Sequence, residues 1–490
     1  MIVSRVVRSL VPARLDRLPW SRFHTRMVVA LGVAWVLDGM EITIAGAVGS
    51  VLRDQRTLGL TSFQVGLTAT GYLLGEVAGA LVFGRLSDRF GRRRLFVLTL
   101  GLYLVANGIT AFSPNLAFLM FFRFLAGAGI GGEYAAIHSA VDELVPATHR
   151  GRVDLAVSGT YWLGAMLGTA STYVLLDPRL LPVDLGWRLG LLIGPLIGAL
   201  VWGLRRRLPE SPRWLLMHGR ADEADGEVSA IEAAVERSGR PVPPVDAGQA
   251  IELRPHGTPS YREVARVLVR EHPRRSVLGG TLLVSQSFLY NAIFFTYVLV
   301  LDAFYGVAPR DASKYLFLFA LGNLAGPLLL GPLFDVLGRR VMISSTYLVS
   351  GVLLGVTGAL FAGGALTAVT QTLLWSVIFF FASAAASAGY LTVSELFPLE
   401  IRALAIALFF ALAQTAGALG PSLFGALIGD RANPDPAGLF HGYLLAAGVM
   451  VVAGLVALAL AVPAERRPLE HVTRPLSARG LPGPDGPAGR

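Results

Sequence analysis

The chain has no cysteine among its 490 residues and a single lysine, Lys314. The lack of cysteine excludes disulfide bonds, cysteine-ligated metals and thiol chemistry. Charge is also scarce, because only 15% of the residues are charged, whereas a soluble domain carries about a quarter. Hydrophobic residues make up 53% of the chain, and its mean hydropathy is +0.59. So much apolar surface cannot be buried in one core in water, which predicts a membrane protein.

Long apolar runs recur along the whole chain. A bilayer core about 30 Å thick requires roughly 20 apolar residues for each helix that crosses it. Twelve runs are of this order, and they lie near 27–51, 63–84, 95–112, 116–143, 153–176, 187–204, 276–304, 313–334, 341–362, 366–395, 401–428 and 440–462. The sequence therefore predicts an all-α membrane protein with twelve transmembrane helices, which we name spans one to twelve.

The positions of the arginines predict the orientation in the membrane. The formal net charge of +9 is also compatible with nucleic-acid binding. The arginines, however, form short clusters before span one and after spans two, four and six, while the loops 113–115 and 363–365 are short and uncharged. This is the positive-inside pattern. It predicts no nucleic-acid partner, and it places both termini in the cytoplasm of a multi-pass protein of the plasma or inner membrane.

Three regions are expected on the cytoplasmic side: an N-terminal segment at 1–26, a central loop at 205–275 and a tail at 463–490. The tail is rich in Pro, Gly and Arg, which predicts disorder. In the central loop, apolar residues at helical spacing predict two amphipathic helices on the cytoplasmic face, separated by a proline-rich linker at 241–245. The apolar positions are Ala224, Val228, Ile231 and Val235 in the first helix and Tyr261, Val264 and Leu268 in the second.

Two loop motifs occur twice in the same order. The first comprises Gly84, Asp88, Gly91, Arg92 and Arg93, and it recurs 247 residues later as Gly331, Asp335, Gly338, Arg339 and Arg340. The second is ELVP at 143–146 followed by Arg150, and it recurs as ELFP at 395–398 followed by Arg402. The repeats predict two six-helix halves, 27–204 and 276–462, with parallel topology because an even number of spans separates the copies.

Three motifs resemble those of the major facilitator superfamily, in its sugar-porter and organic-ion branch. They are GRLSDRFGRRR at 84–94, PESPRWL at 209–215 and SELFPLEIR at 394–402. The resemblance covers essentially the whole membrane portion. It implies a monomeric secondary transporter in the lipid bilayer, which moves a small-molecule substrate by alternating access between two pseudo-symmetric halves. It implies no cofactor, with the proton as the coupling ion.

Acidic and basic residues alternate in the cytoplasmic motifs. Facing loops with opposite charges can form ion pairs when the halves close and hydrate them when the halves open. Orientation alone would explain the arginines, but it does not require the interleaved Asp and Glu. The resemblance implies a salt-bridge network that stabilises the outward-facing state. The candidate gating residues are Asp88, Arg89, Arg92, Arg93, Glu143, Arg150, Glu210, Arg213, Asp335, Arg339, Glu395 and Arg402.

Among the charged residues inside apolar runs, four are candidates for proton coupling, namely Asp38 and Glu41 in span one and Arg123 and Glu133 in span four. Each charge costs about 2.5–3.5 kcal/mol at a helix centre, so each should face a cavity or a partner. Asp38 and Glu41 share a helix face. The resemblance to proton-coupled sugar porters and aromatic-acid symporters implies a proton-coupling acid in span one and an arginine in span four. The alternative is a static ion pair that holds these spans together.

Span seven carries polar residues that resemble the sugar-binding stretch of sugar porters. Gln286 and Asn291 match its amides, whereas Ser285 and Leu289 depart from it. In span ten, Leu391 replaces the expected tryptophan, and Tyr390 is closer to the organic-ion and aromatic-acid branches. With Trp162 and Tyr290 as possible stacking faces, the sequence favours an organic or aromatic acid, such as a benzoate- or nicotinate-like molecule. A sugar or polyol is the alternative solute.

Other functions are less well supported by the residues. A transporter-like nutrient sensor would share the fold, but the central loop contains no recognisable signalling domain. Neither an enzyme nor a metal site is expected, because no nucleophile–base–acid set and no metal-ligand spacing occur. Gly127, Gly129 and Gly132 spell G-x-G-x-x-G within an apolar run, which indicates close helix packing rather than dinucleotide binding. His138 is expected to be a structural residue that pairs with Asp142 one turn on.

Overall fold

The fold is described from a computed structural model. The structure describes residues 7–52, 54–60, 62–177, 179–205, 209–253, 260–307, 309–430, 433–465, 467, 469–473 and 476. The first six residues, Arg206 and Arg207 of the cluster after span six, and most of the predicted tail at 463–490 lie outside this part.

All twelve predicted spans are helical. Spans one to six are Arg22–Val51, Ser62–Phe90, Arg92–Thr110, Leu116–Leu144, Arg150–Leu175 and Val183–Arg205. Spans seven to ten are Pro273–Tyr305, Pro309–Val336, Arg339–Ala362 and Ala368–Leu396, and span twelve is Pro436–Leu460. Span eleven is broken at Ala418 into Arg402–Gly417 and Leu419–Ile428. The prediction of an all-α membrane protein with twelve spans is confirmed.

The spans differ in how strongly their composition marks them as transmembrane. Within the described part of the chain, nine helices are long and apolar enough to cross a bilayer. Span three has only 19 residues and begins with three arginines, span five begins with Arg150 and Arg152, and span eleven is interrupted. Their position in the bundle therefore depends on packing against the other spans more than on their own hydropathy.

Glycines allow very close contact between spans two and four. A Cβ added to Gly131 would lie 2.0 Å from the backbone oxygen of Glu76, and one added to Gly127 would lie 2.1 Å from that of Tyr72. In the same way, a Cβ on Gly164 of span five would lie 1.9 Å from the oxygen of Val36 in span one. The glycine-rich run in span four is therefore a helix-packing surface, as predicted.

The first amphipathic helix of the central loop is confirmed as Ala221–Glu236, and a short helix, Pro212–Met217, precedes it. Its four predicted apolar residues are buried in a cluster that includes Val11 and Leu15. These two residues belong to a helix at Val11–Asp16 in the N-terminal segment. Arg14 and Arg17 of that segment each bind Glu232 at 2.6 Å. The apolar face of the helix thus packs against protein.

The second predicted helix begins at Tyr261 and runs to Arg266, and it continues as a π-helical turn at Val267–Glu271. Val264 and Leu268 are buried, as their spacing predicts. A short 3₁₀ turn, Ala247–Gln249, follows the linker at 241–245, in which the structure has no helix or strand. Strand Val7–Ser9 pairs antiparallel with Ile251–Leu253.

Two further features lie in the C-terminal half. Gly429–Asp430 pairs antiparallel with Asn433–Pro434 between spans eleven and twelve, and a 3₁₀ turn at Leu399–Ile401 precedes span eleven. Part of the tail is ordered, so the prediction of disorder is wrong at 469–473. Leu469–Val472 is a helix, and the Thr473 hydroxyl donates to the carbonyl of Leu396 at 2.8 Å. This hydrogen bond fixes the start of the tail to the C-terminal end of span ten.

Candidate functional site

A cavity of about 170 Å³, which we call the central cavity, lies between the two halves. Spans one, two, four and five line it from the N-terminal half, and spans seven, ten and eleven line it from the other half. All five residues proposed from the sequence for substrate binding line this cavity: Trp162, Gln286, Tyr290, Asn291 and Tyr390. The sequence therefore located a shared pocket, although the residues come from three different spans.

Aromatic rings form much of the cavity wall. The rings of Tyr134 and Phe410, which belong to opposite halves, stack with their centres 4.8 Å apart. Trp35 meets Tyr134 edge-on at 4.3 Å, and Trp162 lies 5.9 Å from Tyr290. Flat, rigid walls of this kind suit a ring or another compact apolar body.

A chain of polar side chains crosses the cavity between the halves. The amide nitrogen of Asn291 donates to the Ser287 hydroxyl at 3.2 Å, and that hydroxyl donates to the Gln414 amide oxygen at 3.0 Å. Gln414 then donates to Glu76 Oε2 at 3.1 Å. The chain thus links span seven through span eleven to a carboxylate in span two.

Glu76 is a cavity residue that the sequence-based selection of charged residues missed. It stands within the predicted span-two run and is 1% exposed. A carboxylate inside an apolar run is itself a signal of function, so the rule applied to spans one and four would have found it. Gly127 and Gly131 of span four hold the backbone around Glu76 in position.

Glu41 and Arg123 form the ion pair expected between spans one and four. The Arg123 guanidinium donates to Glu41, which also accepts from the Asn107 amide. The guanidinium carbon lies 4.5 Å from the centre of the Tyr72 ring. All four side chains are buried. A carboxylate and a guanidinium in direct contact in a dry environment stabilise each other's charge, so protonation of Glu41 would release Arg123.

Asp38 and Glu133 have partners other than Arg123. Asp38 accepts hydrogen bonds from the hydroxyls of Tyr72 at 2.9 Å and Tyr134 at 2.6 Å. Glu133 accepts from the Thr99 hydroxyl at 3.3 Å. Tyr134 also lines the central cavity, so Asp38 contacts the cavity wall through one side chain.

His138 pairs with a residue that the sequence did not suggest. Its Nδ1 lies 2.7 Å from Asp154 Oδ1 in span five, so the expected pairing with Asp142 is wrong. Asp142 instead faces Arg150 at 3.9 Å. The His138 ring also stacks on the ring of Tyr390 at 4.9 Å. Because spacing along one helix ignores neighbouring helices, it could not identify the partner in span five.

The first copy of the repeated loop motif, in the N-terminal half, forms a buried ion-pair cluster. Arg92 donates to Asp88 at 2.9 Å and to Glu143 at 3.0 Å. The carboxylate of Glu210 accepts from the backbone N–H of Arg92 at 2.8 Å and of Arg93 at 3.4 Å. Burial raises the pKa of the Glu210 carboxyl, while these N–H groups oppose the shift.

The C-terminal half repeats this arrangement. Arg339 donates to Asp335 at 3.0 Å and to both oxygens of Glu395 at 3.0 Å. The backbone N–H of Arg339 lies 3.4 Å from Glu465, in the position that Glu210 occupies in the first half. The repeated sequence motifs therefore produce repeated geometry.

Two hydrogen bonds to backbone groups join the halves at the repeated motifs. The backbone N–H of Arg152 donates to Asp335 Oδ2 at 2.9 Å, and Asp88 accepts from the backbone of Leu404. Each aspartate thus binds the first turn of a helix in the opposite half. Unpaired N–H groups and the helix dipole make a helix start a good partner for a carboxylate. Charge attraction also crosses the halves, since Arg402 of the C-terminal half attracts the carboxylate of Asp142 in span four.

The remaining predicted gating residues lie around these clusters. Arg213 donates to the Glu143 carbonyl at 2.6 Å and to Asp16 at 2.8 Å. Arg150 approaches Asp16 at 3.4 Å and the carbonyl of Arg467 at 3.3 Å. Arg402 is buried and lies 3.5 Å from the Phe397 carbonyl. Arg89 is exposed, with its guanidinium carbon 5.1 Å from the ring centre of Phe90.

The family described as Sugar (and other) transporter matches residues 40–476. The chain belongs to this family. Among its relatives, Niacin transporter NiaP of Acinetobacter baylyi is 28% identical over 410 residues, which cover 84% of this chain and 88% of the relative. Polyol transporter 5 of Arabidopsis thaliana is 28% identical over 440 residues, covering 82% and 77% of the two chains.

A solved structure shows the same fold. The major facilitator superfamily proton:xylose symporter XylE, bound to 6-bromo-6-deoxy-D-glucose, aligns with a TM-score of 0.75 at 18% identity, over 91% of this chain and 98% of that chain. This sugar transporter family member is therefore a membrane-embedded, multi-pass transporter with the fold of the major facilitator superfamily, and it is not an enzyme. In the described residues, no group of three His, Asp or Glu side chains could hold a metal ion.

The cross-half contacts of this sugar transporter family member predict the effect of charge reversal at Glu395. In Glu395→Lys, a lysine beside Arg339 would repel it and disturb Asp335, which binds Arg152 across the halves. Loss of a hydrogen bond to a charged group is worth about 1.5–3 kcal/mol, so the inward-open population should rise about tenfold to a hundredfold. Because the chain lacks cysteine, Ala407→Cys gives a unique thiol at the cross-half contact with Gly84.

The measurement is the rate at which a membrane-impermeant maleimide labels this thiol from the cytoplasmic side. Glu236→Lys, on the exposed face of the loop helix, is the matched control and should leave the rate unchanged. An unaltered labelling rate in the Glu395→Lys protein would contradict the gating role.

Glu210 is expected to contribute to stability as the cap of span three. Removing its carboxylate in Glu210→Ala leaves the backbone N–H groups of Arg92 and Arg93 in span three, and that of Ser211, without their acceptor. The loss of a helix cap costs about 0.5–2 kcal/mol, so the melting temperature of the purified protein should fall. Glu223→Ala, on the exposed side of the loop, serves as the control. An equal melting temperature for the two variants would show that Glu210 is not a cap.

Proposed function

We propose that the chain is a proton-coupled symporter that moves a small polar organic solute by alternating access. The observation that carries the proposal is the Glu41–Arg123 ion pair, buried in the membrane part of the half that forms one wall of the central cavity. A static ion pair costs desolvation without a necessary gain in stability. If protonation of Glu41 opens the ion pair, the desolvation cost is explained by a role in proton coupling.

The coupling would work through helix packing. With Glu41 ionised, Arg123 is neutralised and spans one and four are held together. When Glu41 takes up a proton, Arg123 loses its partner, and the packing of these spans around the cavity changes. One proton that moves through about 100 mV supplies roughly 2.3 kcal/mol, which supports about fifty-fold accumulation of a neutral solute.

Alternation would use the cytoplasmic contacts between the halves. Asp88 and Asp335 each accept a hydrogen bond from a backbone N–H of the opposite half. These two contacts join the halves on the side where the arginine clusters predict the cytoplasm. Because water can replace both hydrogen bonds, these contacts can break and re-form as the halves move. We also propose that both termini lie in the cytoplasm and that the protein resides in the plasma or inner membrane.

The solute is a compact polar molecule with a flat face. Aromatic walls and the amides of Gln286, Asn291 and Gln414 support a small heteroaromatic compound, and one relative is described as a niacin transporter. The same amides suit the hydroxyls of a polyol, the second candidate, which the relative described as a polyol transporter supports. The acid favoured by the sequence stays a prediction, and the described cavity wall offers it no lysine or arginine.

The proposal is tested in proteoliposomes that contain a pH-sensitive dye. Neutral heteroaromatic solutes and polyols are added outside, and protein-free liposomes correct for passive entry. Symport predicts acidification of the lumen together with uptake of the labelled solute. Uptake of labelled solute without any proton movement would contradict proton coupling and indicate facilitated diffusion.

A further inference from the structure

Glu76 has one carboxylate oxygen that the protein leaves without a hydrogen bond. Oε2 accepts from Gln414, whereas Oε1 is buried and has no partner among the described residues. A buried carboxylate that lacks a partner is strongly unfavourable. Because Glu76 lines the central cavity, the missing partner is expected to come from a molecule that enters the cavity.

The charges around Glu76 are mainly negative. It is the single charged side chain on the described cavity wall. Asp38 and Arg123 act on it electrostatically from spans one and four, but the Arg123 guanidinium is bound to Glu41. The carboxylates of Asp38, Glu41 and Glu76 therefore lie near a single guanidinium, that of Arg123, which is bound to Glu41. A positive charge in the cavity would reduce this imbalance, whereas an anion would increase it.

The aromatic walls favour the same kind of molecule. The faces of Trp, Tyr and Phe rings attract cations through their quadrupoles, and Trp162, Tyr134 and Phe410 lie on the wall with Glu76. The size of the cavity limits the occupant, since a cavity of about 150 Å³ holds a benzene ring. The space is therefore suited to a single small ring.

We propose that the central cavity binds a small organic cation, a single heteroaromatic ring or a compact body of similar size, with its positive charge on Oε1 of Glu76. This inference names the solute class of the symport proposed above and rests on it. Glu76 is then the residue that determines the charge of the solute. Gln414, which holds the other oxygen, is a positioning residue that connects the bound cation to the C-terminal half.

The test uses three probes of nearly equal shape and different charge: nicotinate, nicotinamide and 1-methylnicotinamide, whose methylated ring nitrogen carries a fixed positive charge. Binding to the purified full-length protein is followed by quenching of tryptophan fluorescence, since Trp35 and Trp162 line the cavity. A charge-assisted contact is worth about tenfold to a hundredfold in affinity. We expect the cation to bind at least about tenfold more tightly than nicotinamide, and nicotinate to bind most weakly.

Variants of Glu76 identify the group responsible. Glu76→Gln keeps a hydrogen-bond acceptor for Gln414 but removes the charge, so the preference for the cation should fall to about threefold or less. Glu76→Asp keeps the charge and should retain most of the preference, which excludes a general loss of folding. Glu236→Gln makes the same chemical change on the exposed loop helix and should bind all three probes as the unaltered protein does.

The proposal is overturned if the cation does not bind more tightly than its neutral and anionic counterparts, or if Glu76→Gln keeps the preference. Tighter binding of nicotinate would show that a neutral, protonated Glu76 receives an acid instead. These binding results do not depend on proton coupling, which the liposome dye measures separately. A cation that binds through Glu76 but moves no protons would contradict the symport and leave the site in place.

Discussion

Replacement of Glu41 by glutamine is expected to abolish concentrative uptake. Glutamine preserves the shape, and its single amide oxygen can still accept from Arg123. Its NH2 group takes the place of the oxygen that accepts from Asn107, and glutamine cannot take up a proton. Accumulation of a neutral solute driven by about 100 mV should therefore fall from about fifty-fold to equilibrium. Exchange of labelled for unlabelled solute across the membrane requires no net proton movement and should persist. Both quantities are measured in the same proteoliposomes.

Glu236→Gln provides the matched control, because it removes a carboxylate on the exposed loop helix. It should accumulate solute as the unaltered protein does. If Glu41→Gln retained full accumulation, the ion pair with Arg123 would be structural, and the coupling group would have to be another carboxylate.

A valine in place of Gly131 is expected to prevent correct folding. The Cβ of any side chain here would lie 2.0 Å from the backbone oxygen of Glu76, so spans two and four would have to separate. Overpacking of a tight core costs about 1–3 kcal/mol and sometimes more, and here the obstacle is backbone, which cannot rotate away. We expect a loss of more than about 3 kcal/mol and a strongly reduced monodisperse peak in fluorescence-detected size exclusion.

Gly448→Val in span twelve is the matched control for this substitution. A Cβ at Gly448 meets no atom within 4 Å, so the variant should elute and melt as the unaltered protein does. Equal behaviour of the two variants would show that the close contact between spans two and four is not required for folding.

The twelve spans were predictable from the sequence because a bilayer requires long apolar helices, and length and composition are local properties. The break of span eleven at Ala418 was not, since both segments lie in one continuous apolar run. The ordered start of the tail was also missed. Its helix depends on contacts with span ten, such as Thr473 to Leu396, which composition does not contain.

The candidate site was predictable where the residues themselves are unusual. Charges inside apolar runs identified Glu41 and Arg123, and the family resemblance led to the polar residues of span seven. Partner identity was not predictable, because it depends on which helices are neighbours. His138 therefore pairs with Asp154 of another span, and Asp335 binds a backbone N–H of the opposite half rather than an arginine there.

Glu76 is marked in the sequence by its charge inside an apolar run, but its place in the site depends on contacts between distant spans. The same rule that selected the acids of span one applies to it, yet its importance becomes clear only from the central cavity, where Gln414 of the other half occupies one oxygen. The tyrosines that bind Asp38 are a similar case, since Tyr72 and Tyr134 come from two different spans. Contacts between residues that are far apart in the sequence can be identified only when the fold is known.

The most direct test of proton-coupled alternating access is uptake of a labelled neutral solute into proteoliposomes under an imposed pH gradient, with and without a protonophore. Proton coupling predicts that the internal concentration rises above the external one and returns to it when the protonophore is added. An internal concentration that never exceeds the external one, or an accumulation that the protonophore leaves unchanged, would contradict it.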